Sequence, residues 1–571
     1  MKVLFTTLHA KYVHASLALP YLTVACRDLA GLETIIREFT INEPSDAVLH
    51  QLVAEKADVV LFSCYIWNIH QTLKLAADLK LVQPETCIVL GGPEASHGVF
   101  ELLDRHPAVD CIVRGEGEAS CRQLLEALLS DQPIEDIDGI LCRTGADIIA
   151  APERAPIACL DSIPSPFAAG LADLKKPLVY FETSRGCPFS CAFCMSSLER
   201  GVRSFSMERI RDDLGILMAK EVQTVKLVDR TFNYDASRAN EIWDFILCNN
   251  RQSRFHFEIA ADLLTDENVE LLGRVPRDTF RFEIGVQSRD AETLERVGRK
   301  SDLERLFSNV ARLRQDTHVT IHLDLVAGLP EEDLQGFLHS LQSLFQLNPH
   351  HIQVEPLKVL KGAPMRKIAD SEGYAYSAAP PYKILRTPWL TYGDICRIEL
   401  ISRLVDLLYN SGRFGTSLSV LAEHAPLADI FHAAAHYWEE QDIPMHTPLS
   451  GLFESLWHFA ETILPSSRGE KIRESLCYDF CLAEYPAAGR LPSFFTEIET
   501  VNSAVPRGRT GEIIRRLGIA EDSKVRSFRW SFKEDFRIKP HLPNRVDLLF
   551  LYISAPGQGL RVQVLEEEKP L

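Results

Sequence analysis

The chain has 571 residues, 46% of them hydrophobic and 25% charged, a composition ordinary for a globular protein of roughly two to five domains. Its net charge of -18 excludes a protein that coats nucleic acid by bulk electrostatics, though not a local basic groove. Its 14 cysteines are too dilute for a disulfide scaffold, and no apolar run is long enough to cross a bilayer.

Met1–Ala10 reads as a buried strand and lacks the longer h-region and cleavage site of a signal peptide, so a cytoplasmic location is expected. Residues 1–135 alternate short apolar strands (Val3–Thr7, Thr34–Thr40, Asp58–Cys64, Cys87–Leu90, Cys111–Val113) with helical stretches such as His70–Leu81. That alternation predicts a parallel sheet covered on both faces. Its polar and glycine-rich segments follow the strand ends, the edge where open parallel sheets bind ligands. Residues 136–172, with Pro152, Pro156, Pro164 and Pro166, read as a short hairpin and a linker.

Residues 173–385 repeat the alternation with strands at Leu178–Thr183, Thr224–Val228, His256–Ala260, Arg281–Val286, Thr320–Val326 and Ile352–Leu357. Six β/α units predict a partial or complete barrel with its chemistry at the carboxyl strand ends. Residues 386–571 change character. Helical patterns run from Asp394 to Glu484, with an apolar stripe around Trp457 and Phe459, and strands are expected at Val525–Phe532 and Val546–Ile553. The fold class is therefore α/β: a Rossmann-like domain, a partial (β/α)6 barrel and an α+β C-terminal domain.

The strongest chemical signal lies at the end of the first barrel strand, where Thr183-Ser-Arg-Gly leads into Cys187-Pro-Phe-Ser-Cys191-Ala-Phe-Cys194. A short loop of this kind can wrap three soft, anionic thiolates around one metal centre. Structural zinc usually takes a fourth protein ligand, and none is near in sequence. Three ligands leave one iron of a cluster open. The bland reading, buried cysteines that happen to fall at this spacing, is the alternative.

This stretch, with the aromatic Phe193 before the last cysteine, resembles the cysteine loop of radical S-adenosylmethionine (SAM) enzymes. The resemblance implies a 4Fe-4S cluster on Cys187, Cys191 and Cys194 whose open iron binds SAM. It also implies reductive cleavage of SAM to a 5′-deoxyadenosyl radical and a reductant such as flavodoxin or ferredoxin. Lys226–Phe232, Phe282–Ser288 and Leu325–Glu331 resemble the second, fourth and fifth strand-end segments of the same family, and Arg230 departs from the acidic residue common there. By this analogy Asp229, Asp262, Glu283 and Gln287 point toward SAM or substrate, each otherwise an ordinary buried or capping polar group, and Phe193 is placed at the cofactor.

Val89–Glu94 and Val113–Glu118 resemble the strand-end loops of the cobalamin-binding domain that precedes many such barrels. The resemblance places Thr7, His9, His14, Ser63, Gly91, Gly92, Pro93, Glu94, Gly115, Glu116 and Gly117 at a corrin. Glycines also suit the close approach of backbone to a large flat ligand. The Asp-x-His-x-x-Gly motif that supplies a cobalt ligand elsewhere is missing, so cobalamin is expected without that lower ligand. A dinucleotide is the competing ligand, but the Gly-x-Gly-x-x-Gly loop after the first strand is missing too.

Two C-terminal features complete the reading. Cys477 and Cys481 share a helix face, compatible with an auxiliary cluster or a redox pair as well as with core. A basic run (Arg507, Arg509, Arg515, Arg516, Lys524, Arg526, Arg529, Lys533, Arg537, Lys539, Arg545) interleaved with Phe528 and Trp530 reads as an RNA surface or a salt-bridged face. The cysteine-bearing N-terminal domain of tRNA methylthiotransferases is absent. The expected activity is cobalamin-dependent methyl transfer to an unactivated carbon. The alternatives are radical rearrangement or reduction without methyl transfer, and a cobalamin- or redox-responsive binding protein without turnover. A small molecule and an RNA base both remain open as substrate.

Overall fold

A computed structural model describes residues 1–145, 147–199, 201–465, 469–487, 491–495, 516–517, 519, 523–538, 544–554 and 559–566. The chain divides into two compact units, one made mainly of residues 1–337 and 355–395, the other mainly of residues 396–571.

The first sheet of the larger unit is built from β1 (Lys2–His9), β2 (Glu33–Thr40), β3 (Val59–Ser63), β4 (Cys87–Gly91), β5 (Cys111–Val113), β6 (Ile140–Thr144) and β7 (Asp147–Ala150). The order is β2-β1-β3-β4-β5-β6-β7. The first five strands run parallel, and the β6–β7 hairpin is added antiparallel at the β5 edge. The hairpin read in 136–172 is thus part of this sheet, which carries its edge past residue 135. Val3 and Phe5 pack on one face of β1 and Leu4 and Leu8 on the other, each in a separate buried cluster under helices. This two-sided burial is why β1 is a continuous apolar run and not an alternating one.

The second sheet uses β8 (Leu178–Phe181), β11 (Thr224–Leu227), β12 (Arg254–Ile259), β13 (Phe280–Gln287) and β14 (Thr320–Ala327), in the order β14-β13-β12-β11-β8; β15 (His351–Pro356) follows, its first four residues in the smaller unit. The pairs from β8 through β14 are parallel. Between β8 and β11 the chain inserts a hairpin of β9 (Ser184–Cys187) and β10 (Gly201–Ser204), which the sequence reading missed. A further short pair, β16 (Ala375–Tyr376) and β17 (Ile384–Arg386), ends the unit's strand set.

Alternation decides what each barrel strand shows to either side. On β12 Phe255, Phe257 and Ile259 are buried, as are Phe280, Phe282 and Ile284 on β13. They pack around Trp243 of the helix Ala236–Asn249, with Phe257, Phe282 and Trp243 ring centroids 5.4–6.2 Å apart. Each buried aromatic contributes about 1.5–3 kcal/mol of burial. The residues between them, His256, Glu258, Arg281 and Glu283, therefore take the opposite face.

The smaller unit holds the helices Gly415–Ala422, Leu427–Glu440, Leu449–Ile463 and Gly469–Ala483 and an antiparallel sheet of β18 (Lys524–Phe532), β19 (Val546–Ser554) and β20 (Arg561–Glu566). Phe459 and its neighbours Phe453 and Leu456 are core. Among the described residues no helix is long and apolar enough to cross a membrane.

Candidate functional site

The three cysteines meet in one cleft at the carboxyl end of the barrel, with Phe193, Arg230, Thr231, Glu258, Glu283, Gln287, Arg299 and Asp324 also in its wall. The local fold brings them there. Gly186 adopts φ +90°, and a Cβ on it would lie 2.2 Å from the Gly201 carbonyl oxygen, so only glycine lets β9 approach β10 this closely. The register pairs Cys187 with Gly201. Beyond it the loop is held by the Ala192 N–H donating to Val297 O (2.7 Å) and the Cys194 N–H donating to Cys191 O (3.0 Å).

All three thiols are free of disulfides. Burial pushes the Cys191 thiol up, and the Arg299 guanidinium, 3.7 Å from its Sγ, works against that. Cys187 Sγ lies 3.4 Å from the Thr231 hydroxyl. Among the described residues of the cleft wall there is no fourth cysteine and no histidine. Three soft donors beside an open cleft fit a cluster held at three irons and do not complete a structural zinc site.

Opposite the thiols, the barrel interior carries a buried charge network. Glu283 accepts from Lys226 Nζ at 3.0 Å and pairs with His256 Nε2 at 2.9 Å. Glu258 is more loosely paired, 3.8 Å from Lys226 and 3.9 Å from Arg230. Burial pushes its carboxyl up to about 7, with Arg230 opposing and Glu283 reinforcing the shift. Asp324 is also raised by burial, partly offset by His322 at 3.0 Å. The donor atoms of His256, Glu283 and His322 lie within 4.8 Å of one another, a spacing compatible with a metal ion. The Lys226 ammonium on Glu283 and the Arg281 guanidinium 3.2 Å from His322 Nδ1 already supply the cationic charge, so we assign this cluster as an ion-paired network.

The predicted SAM and substrate residues part company here. Glu283, Gln287 and Phe193 line the cleft. Gln287 has φ +73° at an irregularity in the β13–β14 register. Asp229 is buried under the cysteine loop, accepting from Thr183 N (3.0 Å), Thr183 Oγ1 (2.5 Å) and Ser184 Oγ (2.5 Å). Asp262 accepts from Ser301 Oγ and Asp302 N, both at 3.1 Å, ahead of the helix Leu303–Asp316. Neither aspartate is in the cleft wall. Of the cleft residues the sequence reading did not single out, Thr231 lies within the Lys226–Phe232 segment and Arg299 carries no motif; the signal for Asp324 was its place on the inward period of β14.

The strand-end loops of the first sheet form one edge. Thr7 donates to Ser63 O at 2.8 Å, and Asn68 Nδ2 donates to Thr7 Oγ1, Leu8 O and Ser63 O, joining the ends of β1 and β3. Gly92, at φ +94°, leans against the backbone of Cys64, and a Cβ there would fall 2.7 Å from Cys64 O. Gly115, at φ +67°, is exposed, with open space where its Cβ would stand. Trp67, its ring stacked on Tyr65 at 4.4 Å and its Nε1 donating to Leu8 O, adds a half-exposed flat face at the end of β1. An open, glycine-lined edge with a fixed aromatic face fits a large flat ligand.

Several predicted side chains on this edge are engaged by protein. His9 Nε2 lies 2.7 Å from Glu38. His14 Nδ1 lies 2.9 Å from the Tyr180 hydroxyl, with its ring stacked on that tyrosine. Glu94 is buried and takes the Tyr382 hydroxyl and the Lys361 ammonium, the latter at 3.1 Å. Glu116, just before Gly117, pairs with Arg203 at 2.7 Å and Arg185 at 3.3 Å. What these two loops present to a ligand is therefore chiefly backbone.

In the smaller unit Cys477 and Cys481 are fully buried in the helix Gly469–Ala483, and burial pushes both thiols up, the state of inert core cysteines. Of the basic run, Arg529 pairs with Asp547, Lys533 with Glu470, and Arg537 with Asp535 and Glu566. Arg507, Arg509, Arg515 and Lys539 lie outside the described residues. Among the described residues three of these basic side chains are thus ion-paired, Arg545 bonds Ser531 and Arg526 lies over the Tyr485 ring.

Residues 3–125 match the B12 binding domain family, residues 181–341 the Radical SAM superfamily, and residues 371–508 a family described as a protein of unknown function, DUF4080. The cobalamin-dependent radical SAM methyltransferase TokK of Streptomyces tokunonensis is 27% identical over 369 residues, 61% of this chain and 53% of TokK. The hopanoid C-3 methylase of Methylococcus capsulatus is 29% identical over 324 residues, 54% of this chain and 60% of the methylase. The chain thus spans between half and three fifths of the length of these curated relatives. The solved structure of the cobalamin-dependent SAM radical enzyme OxsB, with aqua-cobalamin and SAM bound, shares the fold at a TM-score of 0.59 and 15% identity over 91% of this chain and 81% of that one.

Proposed function

From a chain that carries a B12 binding domain followed by a Radical SAM superfamily domain, we propose a cobalamin-dependent radical SAM methyltransferase acting on an unactivated carbon. In this reading Cys187, Cys191 and Cys194 hold a 4Fe-4S cluster, residues 1–135 hold the corrin, and residues 173–385 form the radical barrel. Residues 386–571 form a C-terminal domain without an assigned role. When bound, the cluster supplies the electron that splits SAM into methionine and a 5′-deoxyadenosyl radical, and cobalamin supplies the methyl group that replaces the abstracted hydrogen.

One observation carries the reading. The turn after β5, on the open edge of the first sheet, is ion-paired to Arg185, two residues before Cys187. That contact sets the corrin edge against the mouth of the cysteine cleft, the proximity that transfer between two cofactors requires. The chain's own residues do the rest. Arg299 and Thr231 brace the thiols, Glu258, Glu283 and Asp324 present carboxyls to orient SAM and substrate, and Phe193 lines the cleft beside them. A dedicated reductant of flavodoxin or ferredoxin type fits the low potential such a cluster needs. Fourteen cysteines without a disulfide fit the reducing cytoplasm.

The test is anaerobic. The protein is reconstituted with iron, sulphide and hydroxocobalamin, given SAM, a strong reductant and substrate-rich extract, and its products are separated. Formation of both 5′-deoxyadenosine and S-adenosylhomocysteine is expected. Deoxyadenosine alone, with cobalamin bound, overturns methyl transfer in favour of rearrangement or reduction, and neither product from a loaded cluster points to a binding protein without turnover.

A further inference from the structure

Arg185 and Arg203 are register partners across the β9–β10 hairpin, and both close on Glu116 of the first sheet's open edge, Arg203 at 2.7 Å and Arg185 at 3.3 Å. Arg185 also reaches Glu118 at 2.6 Å and Glu182 at 2.8 Å, and its guanidinium lies over the Tyr21 ring, 5.7 Å from the centroid. Arg203 Nη1 donates to Ile157 O at 2.6 Å, and the Ile157 N–H donates to Glu116 at 2.6 Å. The side chains of Arg185, Glu116, Glu118 and Glu182 are only 9–14% exposed.

This is more than a surface ion pair. A buried guanidinium that loses one carboxylate gains little water in return, so the partners move together or not at all. The planar fork fixes direction as well as distance. One end of the network is the turn Arg114–Glu118 on the open edge of the first sheet, where Gly115 is exposed at φ +67°. The other end is β9, which delivers Cys187. Glycine at 186 removes the side chain that would hold β9 away from β10, so a pull on Arg185 is transmitted along a tightly paired hairpin.

Resting on the corrin and cluster assignments above, we propose that Arg185 is a positioning residue through which the corrin turn and the cluster loop set each other's geometry. A ligand seated on the Arg114–Glu118 turn fixes Glu116 and Glu118; these fix Arg185; Arg185 fixes the approach of Cys187 to the cleft. Linkage is reciprocal, so the assembled cluster must favour the corrin by the same factor as the corrin favours the cluster.

The experiment measures hydroxocobalamin affinity by absorbance titration, before and after cluster reconstitution, in the wild type, in Glu118→Gln and in Arg185→Lys. It also measures the rate of iron loss to a chelator with and without hydroxocobalamin, a readout independent of turnover. In the wild type the cluster is expected to tighten cobalamin by about fivefold or more, and cobalamin to slow iron loss. In both variants each cofactor still loads, but the ratio falls to within about twofold of unity, because Gln keeps the shape without the charge and Lys the charge without the fork. A ratio near one in the wild type, or an unchanged ratio in both variants, overturns the coupling and leaves the proposed function standing. A wild type that loads its cluster but binds no cobalamin overturns the corrin assignment itself, and the coupling with it.

Discussion

Glu258 on β12 and Glu283 on β13 are register partners, yet their carboxyls are driven in opposite directions. For Glu283 burial works upward, but the bonds from His256 and Lys226 outweigh it and hold the group well below the usual carboxylate range. Glu258 lacks so close a cation, so burial prevails and lifts it to about 7. Two acids from adjacent strands thus present one fixed charge and one that switches near neutrality to the same cleft.

The sign of the resulting pH dependence follows from proton counting. Between 4.5 and about 7 the unfolded chain has released the Glu258 proton and the folded chain has kept it. The folded state then binds more protons, and stability falls as pH rises through that window. Glu258→Gln removes the loss. Urea denaturation should find the variant more stable than wild type at alkaline pH, by up to about 3 kcal/mol at 1.36 kcal/mol per unit, and equal to it below the ordinary glutamate range. A gap that stays constant with pH would sink this account.

Arg299 and Thr231 lie against the cysteine sulphurs, where they would tune a metal held by those thiolates. Arg299→Ala and Thr231→Val should still assemble a cluster but hold iron about 10–100-fold less tightly, the usual cost of an outer-shell loss. Single Cys187→Ala, Cys191→Ala or Cys194→Ala changes should abolish the cluster and SAM cleavage together. Iron and sulphide content after gel filtration separates the two classes. Arg299→Ala protein with wild-type iron retention would show that the 3.7 Å approach to Cys191 has no part in holding the cluster.

What was legible in the sequence depended on the range of the interaction that made it. The parallel strands showed because β1 is buried on both faces, and the cysteine loop because its three thiols are local in sequence. The inward stripe of the barrel was written just as plainly, in the alternation of Phe255, Phe257 and Phe280, Phe282 with His256, Glu258 and Arg281, Glu283. It takes the period-2 rule applied strand by strand to read it, not a motif. The Arg185 network was not legible, since Glu116 and Glu118 lie 69 and 67 residues from their partner and no local pattern links them. Nor was the role of Asp229, whose position suggests a cleft residue and whose bonds turn it to the cysteine loop.

Those bonds separate two roles for Asp229 by experiment. A buried carboxylate accepting three hydrogen bonds, each to a charged acceptor worth about 1.5–3 kcal/mol, leaves Thr183 and Ser184 unsatisfied when removed. Asp229→Ala should lower stability by about 3 kcal/mol or more, and Asp229→Asn by less, since the amide oxygen still accepts. SAM affinity of the folded, cluster-loaded Asn variant should stay within about twofold of wild type by equilibrium dialysis, a change too small for a lost charged contact. A tenfold or greater loss of SAM affinity without loss of stability would place Asp229 against SAM instead.

Gly92 offers the sharpest test of the corrin edge. Its φ of +94° alone makes a side chain strained, and the Cβ would also lie 2.7 Å from Cys64 O and 2.9 Å from Cys64 N. Those backbone atoms cannot yield without separating β3 from β4, because Cys64 N donates to Gly91 O at 2.8 Å and Glu94 N to Cys64 O at 3.3 Å. Gly98, at φ +68° with nothing within 4 Å, carries the conformational strain without the collision. Gly98→Ala should therefore lose only about 1–3 kcal/mol of stability and keep its cobalamin affinity. Gly92→Ala should lose more, and bind hydroxocobalamin at least about tenfold more weakly, 1.4 kcal/mol per decade, while assembling its cluster as the wild type does. If both variants lose cobalamin equally, left-handed backbone and not the β3–β4 approach is what shapes the edge; if only Gly92→Ala does, the close packing of Gly92 on Cys64 is the feature that sets the ligand's seat.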